Sequence, residues 1–369
     1  MIWLSPFLAY LWVLIALALG LWFQLRFRGL KSILQKPVER SIGERLPSLS
    51  LIICFRNEEE NLRRLIPLWA EQQYPDFEVI LVDDHSSDGG VAFLQSAQIQ
   101  YPHLRILSSS AEQPQGKKSA LRRGILAAKH ECLVFTDADC TPASDKWLRG
   151  VGEALIKNDV VLGYGALQGT GFAAQLSDYE TVQTALRYWS YALIGKAYMG
   201  VGRNLAYRKS AMQAVQALNK HQDLLSGDDD LTLREMAKGL KVYCLSDART
   251  FTYSPAPASL KDWWRQKGRH YSTAWRYQWE VKLSLALEGA LQLTFWLLLP
   301  VAVLHIGLFW VFFTVGCRAL LSHYPRKEQF KLVQHRGLAW FWPLFEMVWA
   351  FATTLLHLRN LIWGAPKKW

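Results

Sequence analysis

Cys132-Leu133-Val134-Phe135-Thr136-Asp137-Ala138-Asp139 is the stretch on which the fold turns. Its apolar run reads as a strand buried on both faces, the pattern of a parallel sheet, and the run ends in two carboxylates. The same grammar recurs upstream. Leu49-Ser50-Leu51-Ile52-Ile53-Cys54 reads as a first strand and is followed by Phe55-Arg56-Asn57-Glu58. Phe77-Glu78-Val79-Ile80-Leu81-Val82 reads as a second and ends in Asp83-Asp84, while Arg105-Ile106-Leu107 is a shorter third. Helical stretches from about Glu59 to Gln73 and from Ser119 to Lys129 separate them. Strands alternating with helices imply βαβ units, and so an α/β domain with a largely parallel sheet. Ligands in such sheets bind at the carboxyl ends of strands, and both acidic clusters sit at such ends.

Outside this region the composition changes. Ile2 to about Phe23 is apolar and uncharged, long enough to span a bilayer as a helix, which takes about 20 residues. Arg26, Arg28 and Lys31 follow it directly. A cleaved signal peptide carries its positive charge before the apolar run, so the reversed polarity reads as a retained anchor with the following residues in the cytoplasm. Lys31 to Leu46, charged, carrying Pro37 and followed by Pro47, suits a linker. Leu283 to Val315 is again almost wholly apolar, too long for one crossing, and suits two spans turning near Pro300. A basic stretch from Arg318 to Arg336 and a last apolar stretch from Leu338 to Leu356 follow. Strict alternation would leave Arg359, Lys367 and Lys368 outside, against the positive-inside tendency, so the last stretch is re-entrant, interfacial, or evidence of a different span count.

The composition of the 369 residues agrees with a membrane protein: 51% are apolar and 17 are Trp, a side chain at home where membrane meets water. The formal net charge of +11 calls for an anionic partner. Because the excess flanks apolar segments, membrane and lipid headgroups account for it, and none of the usual nucleic-acid signatures occurs. The five cysteines are scattered without a C-x-x-C pair, as reduced thiols would be, and form no disulfide framework.

Asp137 and Asp139, one residue apart at a strand end, can hold Mg²⁺ or Mn²⁺, ions that fill their remaining positions with water and phosphate. Two surface aspartates in a turn would look the same. The pair, however, belongs to a series: Phe55-Arg56-Asn57-Glu58, Asp83-Asp84-His85-Ser86, Asp137-Ala138-Asp139, Asp228-Asp229-Asp230 and Gln266-x-x-Arg269. In this order the series resembles glycosyltransferase family 2, the GT-A-fold enzymes that include cellulose, chitin and hyaluronan synthases. The resemblance covers about residues 48 to 275, and the flanking apolar segments fit the family's integral-membrane branch.

The resemblance implies an α/β GT-A (nucleotide-diphospho-sugar transferase) domain with flanking transmembrane helices. Residues 1–25 would be the anchor, 26–47 a linker, 48–282 the cytoplasmic catalytic domain and 283–369 a membrane region with two or three apolar segments. Asp84 would recognise the nucleotide base with Asp83 supporting it, and Asn57 and Glu58 would join the donor site. Asp139 would ligate the metal directly. Asp137 would contact it through water or hold the donor's ribose or sugar. Lys117 of Gly116-Lys117-Lys118 would approach the donor phosphates, and Gln266 and Arg269 would meet the diphosphate, for which a guanidinium fork is suited. A carboxylate must take the proton of the attacking hydroxyl. Counting back from Leu231 gives Asp228, and pairing by the double acid gives Asp229; Gly227 stands where the first count expects an acid. Repulsion among three adjacent carboxylates would raise the pKa of one. His270 replaces the family's Trp after Arg269, and Trp263, Trp264 and His270 would face the acceptor or, for the two indoles, rest at the membrane surface. Gly200-Val201-Gly202-Arg203-Asn204 also looks like a family element, whose glycines would let backbone approach a sugar.

The activity so implied is a single inverting displacement from a nucleotide-sugar donor to a lipid, lipid-linked or saccharide acceptor. Few spans and the missing Trp favour transfer of one sugar over polymer synthesis. The enzyme would be integral to the membrane (in a bacterium, the inner membrane), with its catalytic domain cytoplasmic. A metal-dependent nucleotidyltransferase and a non-catalytic membrane scaffold are the competing classes. The first does not need the Asp228 region followed by Q-x-x-R beside membrane spans, and the intact Asp84, Asp139 and Arg269 argue against the second, a scaffold that retains a degenerate transferase fold. The sequence leaves donor base, sugar and oligomeric state open.

Overall fold

The structure is a computed structural model and describes residues 4–30, 32–33, 44–110, 112–211, 233, 239–271, 276–332 and 338–364. In chain order its elements begin with α1 (Leu4–Phe27), β1 (Leu49–Phe55), α2 (Glu59–Ala70), β2 (Phe77–Asp83), α3 (Gly90–Gln100), β3 (Leu104–Leu107), α4 (Lys117–Ala127) and β4 (Cys132–Asp137). Next come β5 (Thr141–Pro142), α5 (Trp147–Leu155), β6 (Val160–Leu162), β7 (Gly165–Gln168), α6 (Phe172–Leu193) and β8 (Leu205–Arg208). The remainder is β9 (Val242–Cys244), β10 (Thr252–Pro255), α7 (Leu260–His270), α8 (Trp279–Leu332) and α9 (Leu338–Trp363). The chain divides into two compact units, Ile33–Trp263 and a second made of Met1–Ser32 with Trp264–Pro366.

The first unit is built on a seven-stranded sheet in the order β3-β2-β1-β4-β8-β6-β9. The four strands read from sequence all run parallel. The sheet as a whole is mixed, because β8 lies antiparallel to both β4 and β6. With only four residues, β8 has no apolar run long enough to announce itself. Leu51, Ile53, Val79, Leu81 and Val134 pack on one face with Trp69 of α2 and Trp147 of α5. The other face is covered by α4, which comes so close at Gly124 that a Cβ there would lie 2.6 Å from Ile52 Cγ2 and 3.0 Å from Val82 Cγ2. Burial on both faces is what makes these strands near-continuous apolar runs.

One acid is tolerated inside this core. Glu78 accepts hydrogen bonds from Ser50 Oγ and the Lys129 amide, each at 2.7 Å, and from Arg105 at 2.6 Å. Burial alone would raise its pKa, but the Arg105, Ser50 and Lys129 donors outweigh it and hold the carboxyl below its ordinary value. A second, three-stranded sheet in the order β5-β10-β7 lies beside the main one.

Among the described residues of the second unit three helices are long and apolar enough to cross a membrane: Pro6–Leu30, Trp279–Ser322 and Phe341–Trp363. Helix α8 has 54 residues, and at 1.5 Å per residue a straight helix of that size would reach about 80 Å, far beyond a hydrocarbon core of about 30 Å. Its helical geometry breaks at Gly307, with φ 77° and ψ 159°, not at the expected Pro300. Proline keeps φ in the helical range even where it removes a hydrogen bond, whereas φ near 77° is open at low cost only to glycine. Trp12 of α1 stacks on Phe295 of α8 at 5.1 Å and donates from Nε1 to its carbonyl at 2.9 Å. Glu346 of α9 receives Arg318 and Arg326 (the latter at 3.2 Å), and Glu288 receives Arg26 at 3.1 Å. Unpaired, such groups would be costly in hydrocarbon.

Gly124→Val should lower the melting temperature of the detergent-purified protein, since overpacking at such a contact costs about 1–3 kcal/mol. Gly289→Val, where a Cβ meets no atom within 4 Å, should leave it unchanged in the same thermal-unfolding assay.

Candidate active site

Register decides which side chains meet. β1 pairs with β2 so that Phe55 stands opposite Asp83, and with β4 so that Cys54 stands opposite Asp137. The two acidic clusters therefore reach the same edge of the sheet, where the loops after β1, β2 and β4 and the start of α4 come together.

The loops after β1 and β2 are stitched to each other. Ser87 donates its amide to Asn57 Oδ1 at 2.7 Å, and Ser86 Oγ accepts from the Asn57 amide at 3.0 Å. Glu59 and the 88–89 turn bind reciprocally: the Glu59 amide donates to Asp88 and the Gly89 amide donates to Glu59, both at 2.9 Å. Asn57 and His85 hold left-handed backbone conformations, φ 54° and 60°, which are uncommon outside glycine and occur where loops are tightly determined. Asp83 accepts from the Ser86 amide at 2.9 Å and from both the amide and the hydroxyl of Ser109. Burial works to raise its pKa, and these Ser109 and Ser86 donors overcome it, so the carboxyl lies below its usual value.

Asp84 accepts from the Gly116 amide at 2.7 Å. Gly116 immediately precedes α4 with φ 118° and ψ 147°, a conformation essentially reserved to glycine. Lys117 then opens the helix and reaches Asp137, Nζ to Oδ1 2.7 Å. Desolvation pushes the Asp137 pKa up, but the Lys117 charge and hydrogen bond, with help from Arg203, bring it below the ordinary aspartate value. Asp139 behaves oppositely: desolvation and the neighbouring Asp137 charge raise it. No cation lies within ion-pairing distance of Asp139 among the described residues. Glu58 is also raised, by burial first and by the Asp139, Asp88 and Asp137 charges, against the lowering effect of Asn61.

Ligand atoms of Asp137, Asp139 and Cys140 all lie within 4.8 Å of one another. Two repelling carboxylates, one without a counter-ion, form the hard oxygen donor set that suits Mg²⁺ or Mn²⁺. The Cys140 thiol is pushed well up by burial and lies 3.0 Å from Ser254 Oγ, so the oxygens are the natural ligands.

Thus Asn57, Glu58, Asp83, Asp84, Lys117, Asp137 and Asp139 come together on one unit. Trp263 ends that unit and is buried. Trp264, Gln266, Arg269 and His270, further along α7, belong to the second unit. The candidate bases Asp228 and Asp229 lie outside the described residues. Two contributors escaped the sequence reading. Ser109 anchors Asp83, and Arg123 donates to the Asp83 and Ser108 carbonyls and, at 2.6 Å, to Gln113. Both act across long sequence separations and no local pattern marks them.

Residues 50–212 match the family described as Glycosyl transferase family 2, and residues 159–363, more than half of the chain, match Glycosyl transferase family group 2. The chain belongs to this family of glycosyltransferases. Among curated relatives it is 30% identical over 193 residues to Glycosyltransferase AglE of Haloferax volcanii, covering 50% of this chain and 59% of that protein. It is also 30% identical over 137 residues to a beta-monoglucosyldiacylglycerol synthase of Nostoc sp., covering 36% and 29%. The chain thus spans less than two thirds of the first relative and less than a third of the second. Among solved structures, a mannosyltransferase of Pyrobaculum calidifontis in complex with GDP-Man and Mn²⁺ shares the GT-A fold: TM-score 0.58, 18% identity, 97% of this chain and 99% of that one.

A depressed carboxyl contributes stability that is complete above its unfolded value, about pH 4 for aspartate, and is lost as pH falls through the folded value. Asp83→Asn should therefore lower the melting temperature at pH 7. The gap to wild type should narrow in acid when both are followed by thermal unfolding across pH 3–7.

Proposed function

We propose that the protein is a membrane-bound, metal-dependent glycosyltransferase that moves one sugar, with inversion, from a nucleoside-diphosphate sugar to a lipid or lipid-linked acceptor. The observation that carries the reading is the convergence of Asp84, the Gly116 amide, Lys117, Asp137 and Asp139 at one sheet edge. Asp84, oriented by that amide, reads the base and Asp83 fixes the loop that carries it. Lys117 faces the donor phosphates. Asp139, with Asp137 beside it, would hold a divalent cation, which when bound offsets the negative charge that develops on the departing diphosphate. Gln266 and Arg269 are assigned to that diphosphate on their motif alone.

Asp228 or Asp229 takes the proton of the acceptor hydroxyl as it attacks the anomeric carbon. One base and no nucleophile give a single displacement and inversion. The basic residues after α1 set the catalytic unit on the cytoplasmic side, in a bacterium that of the inner membrane. Three apolar helices support an acceptor delivered from the bilayer. The diacylglycerol-type product named for the Nostoc relative and the GDP-Man and Mn²⁺ of the Pyrobaculum structure support a lipid acceptor, a sugar nucleotide and a divalent ion here as well.

The test is a panel of nucleotide sugars supplied to detergent-purified protein with Mn²⁺ or Mg²⁺ and a lipid extract, reading nucleoside diphosphate release. Release from one donor should require the metal and fall about 10²-fold or more in Asp139→Ala, the scale of removing a principal electrostatic stabiliser. Silence across the panel, or pyrophosphate release from nucleoside triphosphates instead, would sink the reading.

A further inference from the structure

Arg203 is a cation at the site to which neither the motif series nor the ion pairs give a role. It lies in the short turn Gly202–Asn204 that leads into β8, and three separate arrangements deliver it. Its carbonyl accepts from Thr136 Oγ1 on β4 and from Thr252 Oγ1 on β10, both at 2.9 Å. Asn204 beside it is clamped: Oδ1 accepts from Trp147 Nε1 at 3.1 Å, and Nδ2 donates to the Tyr164 and Thr250 carbonyls at 3.0 and 2.8 Å. Two glycines make the room. A Cβ on Gly163 would meet the Asn204 carboxamide at 2.4 Å, and one on Gly165 would meet Arg203 Cβ at 2.9 Å and Nε at 3.3 Å.

The side chain so fixed is half-buried. Its charge is felt by Asp137, Asp139, Cys140 and Tyr164, on all of which it acts to lower the pKa. Yet among the described residues no carboxylate comes within ion-pairing distance of the guanidinium. Asp137 is satisfied by Lys117. A guanidinium has five N–H donors and no acceptor, and its planar fork matches two oxygens of one phosphate. A lone anion would be repelled by the two aspartates. A phosphate that enters with a divalent cation would not be.

We propose that Arg203 binds a phosphate group of a substrate beside the Asp137–Asp139 pair. This rests on reading the site as one for a nucleoside-diphosphate sugar. The phosphate has two chemical sources: the donor's diphosphate, or the headgroup of a phosphorylated lipid acceptor. The experiment separates them.

Binding of UDP, GDP and the matching nucleosides to full-length, detergent-purified protein is measured by calorimetry in Mn²⁺, for wild type, Arg203→Gln and Arg203→Lys. Binding of farnesyl phosphate against farnesol is measured on the same samples. If the donor supplies the phosphate, Arg203→Gln weakens diphosphate binding at least about tenfold, the scale of one charged hydrogen-bonding group, and leaves nucleoside binding alone. If the acceptor supplies it, diphosphate binding stays and the preference for farnesyl phosphate over farnesol is lost. Arg203→Lys keeps the charge without the fork and should fall between. Unchanged binding of both ligands in a variant that melts like wild type overturns the proposal while leaving the proposed function intact. Wild-type protein that binds no nucleotide overturns both. Should Arg203→Gln fail to fold, Arg203→Lys decides, and affinities equal to wild type refute the phosphate contact.

Discussion

Everything at the site depends on the register of one strand. β1 is hydrogen-bonded to β2 on one side and β4 on the other, and it sets Phe55 level with Asp83 and Cys54 level with Asp137. A slip of one residue would turn each β1 side chain to the opposite face and bring Ser50, Ile52 and Cys54 to the face that Leu51 and Ile53 now occupy. The register is held from both ends of the sheet. Glu78, with Ser50, Arg105 and Lys129, ties the strands together at the far edge, and apolar packing on both faces penalises any shift. Loop chemistry after β1 and β2 begins from this alignment: the Asn57–Ser87 and Glu59–Asp88 bonds close only between strand ends already level.

The unit of long apolar helices solves a different problem with related means. Its helices carry Arg26, Arg318 and Arg326 among apolar side chains, each answered by Glu288 or Glu346. Arg318 and Arg326 also lie against aromatic rings, 4.2 Å from the Phe295 centroid and 3.9 Å from that of Phe23, where the ring faces offer further attraction to a cation. Such pairs favour one mutual arrangement of α8 and α9 within the unit, because any other would leave Glu346 without its counter-charges.

The strands β1, β2 and β4 were legible because double-sided burial writes itself as an unbroken apolar run, and the acids after them because they interrupt it. The anchor helix and α9 were legible by length and hydropathy, although each helix extends somewhat past the stretch read. The short strands β5, β7 and β8 were not, since two to four residues carry no period, and with β8 went the mixed character of the sheet. The α8 interruption was misplaced because Pro300 is the louder signal, whereas a glycine's left-handed torsion leaves no trace in hydropathy. At the site, Asp83, Asp84, Lys117, Asp137 and Asp139 could be named from motif and spacing. Ser109 and Arg123 could not, because their partners stand across loops that only the folded chain brings near, and Arg203 could be quoted within its glycine-rich stretch but given no role.

The 2.7 Å bridge between Lys117 and Asp137 has a consequence for the proposed binding of metal and donor phosphate. With nothing bound, the lysine acts as an internal counter-ion and spares the aspartate pair the full cost of its own repulsion. Lys117 cannot serve Asp137 and an incoming anion at full strength together, so an anion that recruits the ammonium leaves Asp137 hungrier for a cation. By thermodynamic reciprocity a cation at Asp137 equally frees the ammonium for an anion. Under the proposed function each arrival would therefore raise the affinity for the other, and metal and donor phosphate would bind with positive cooperativity, like a balance with one shared weight.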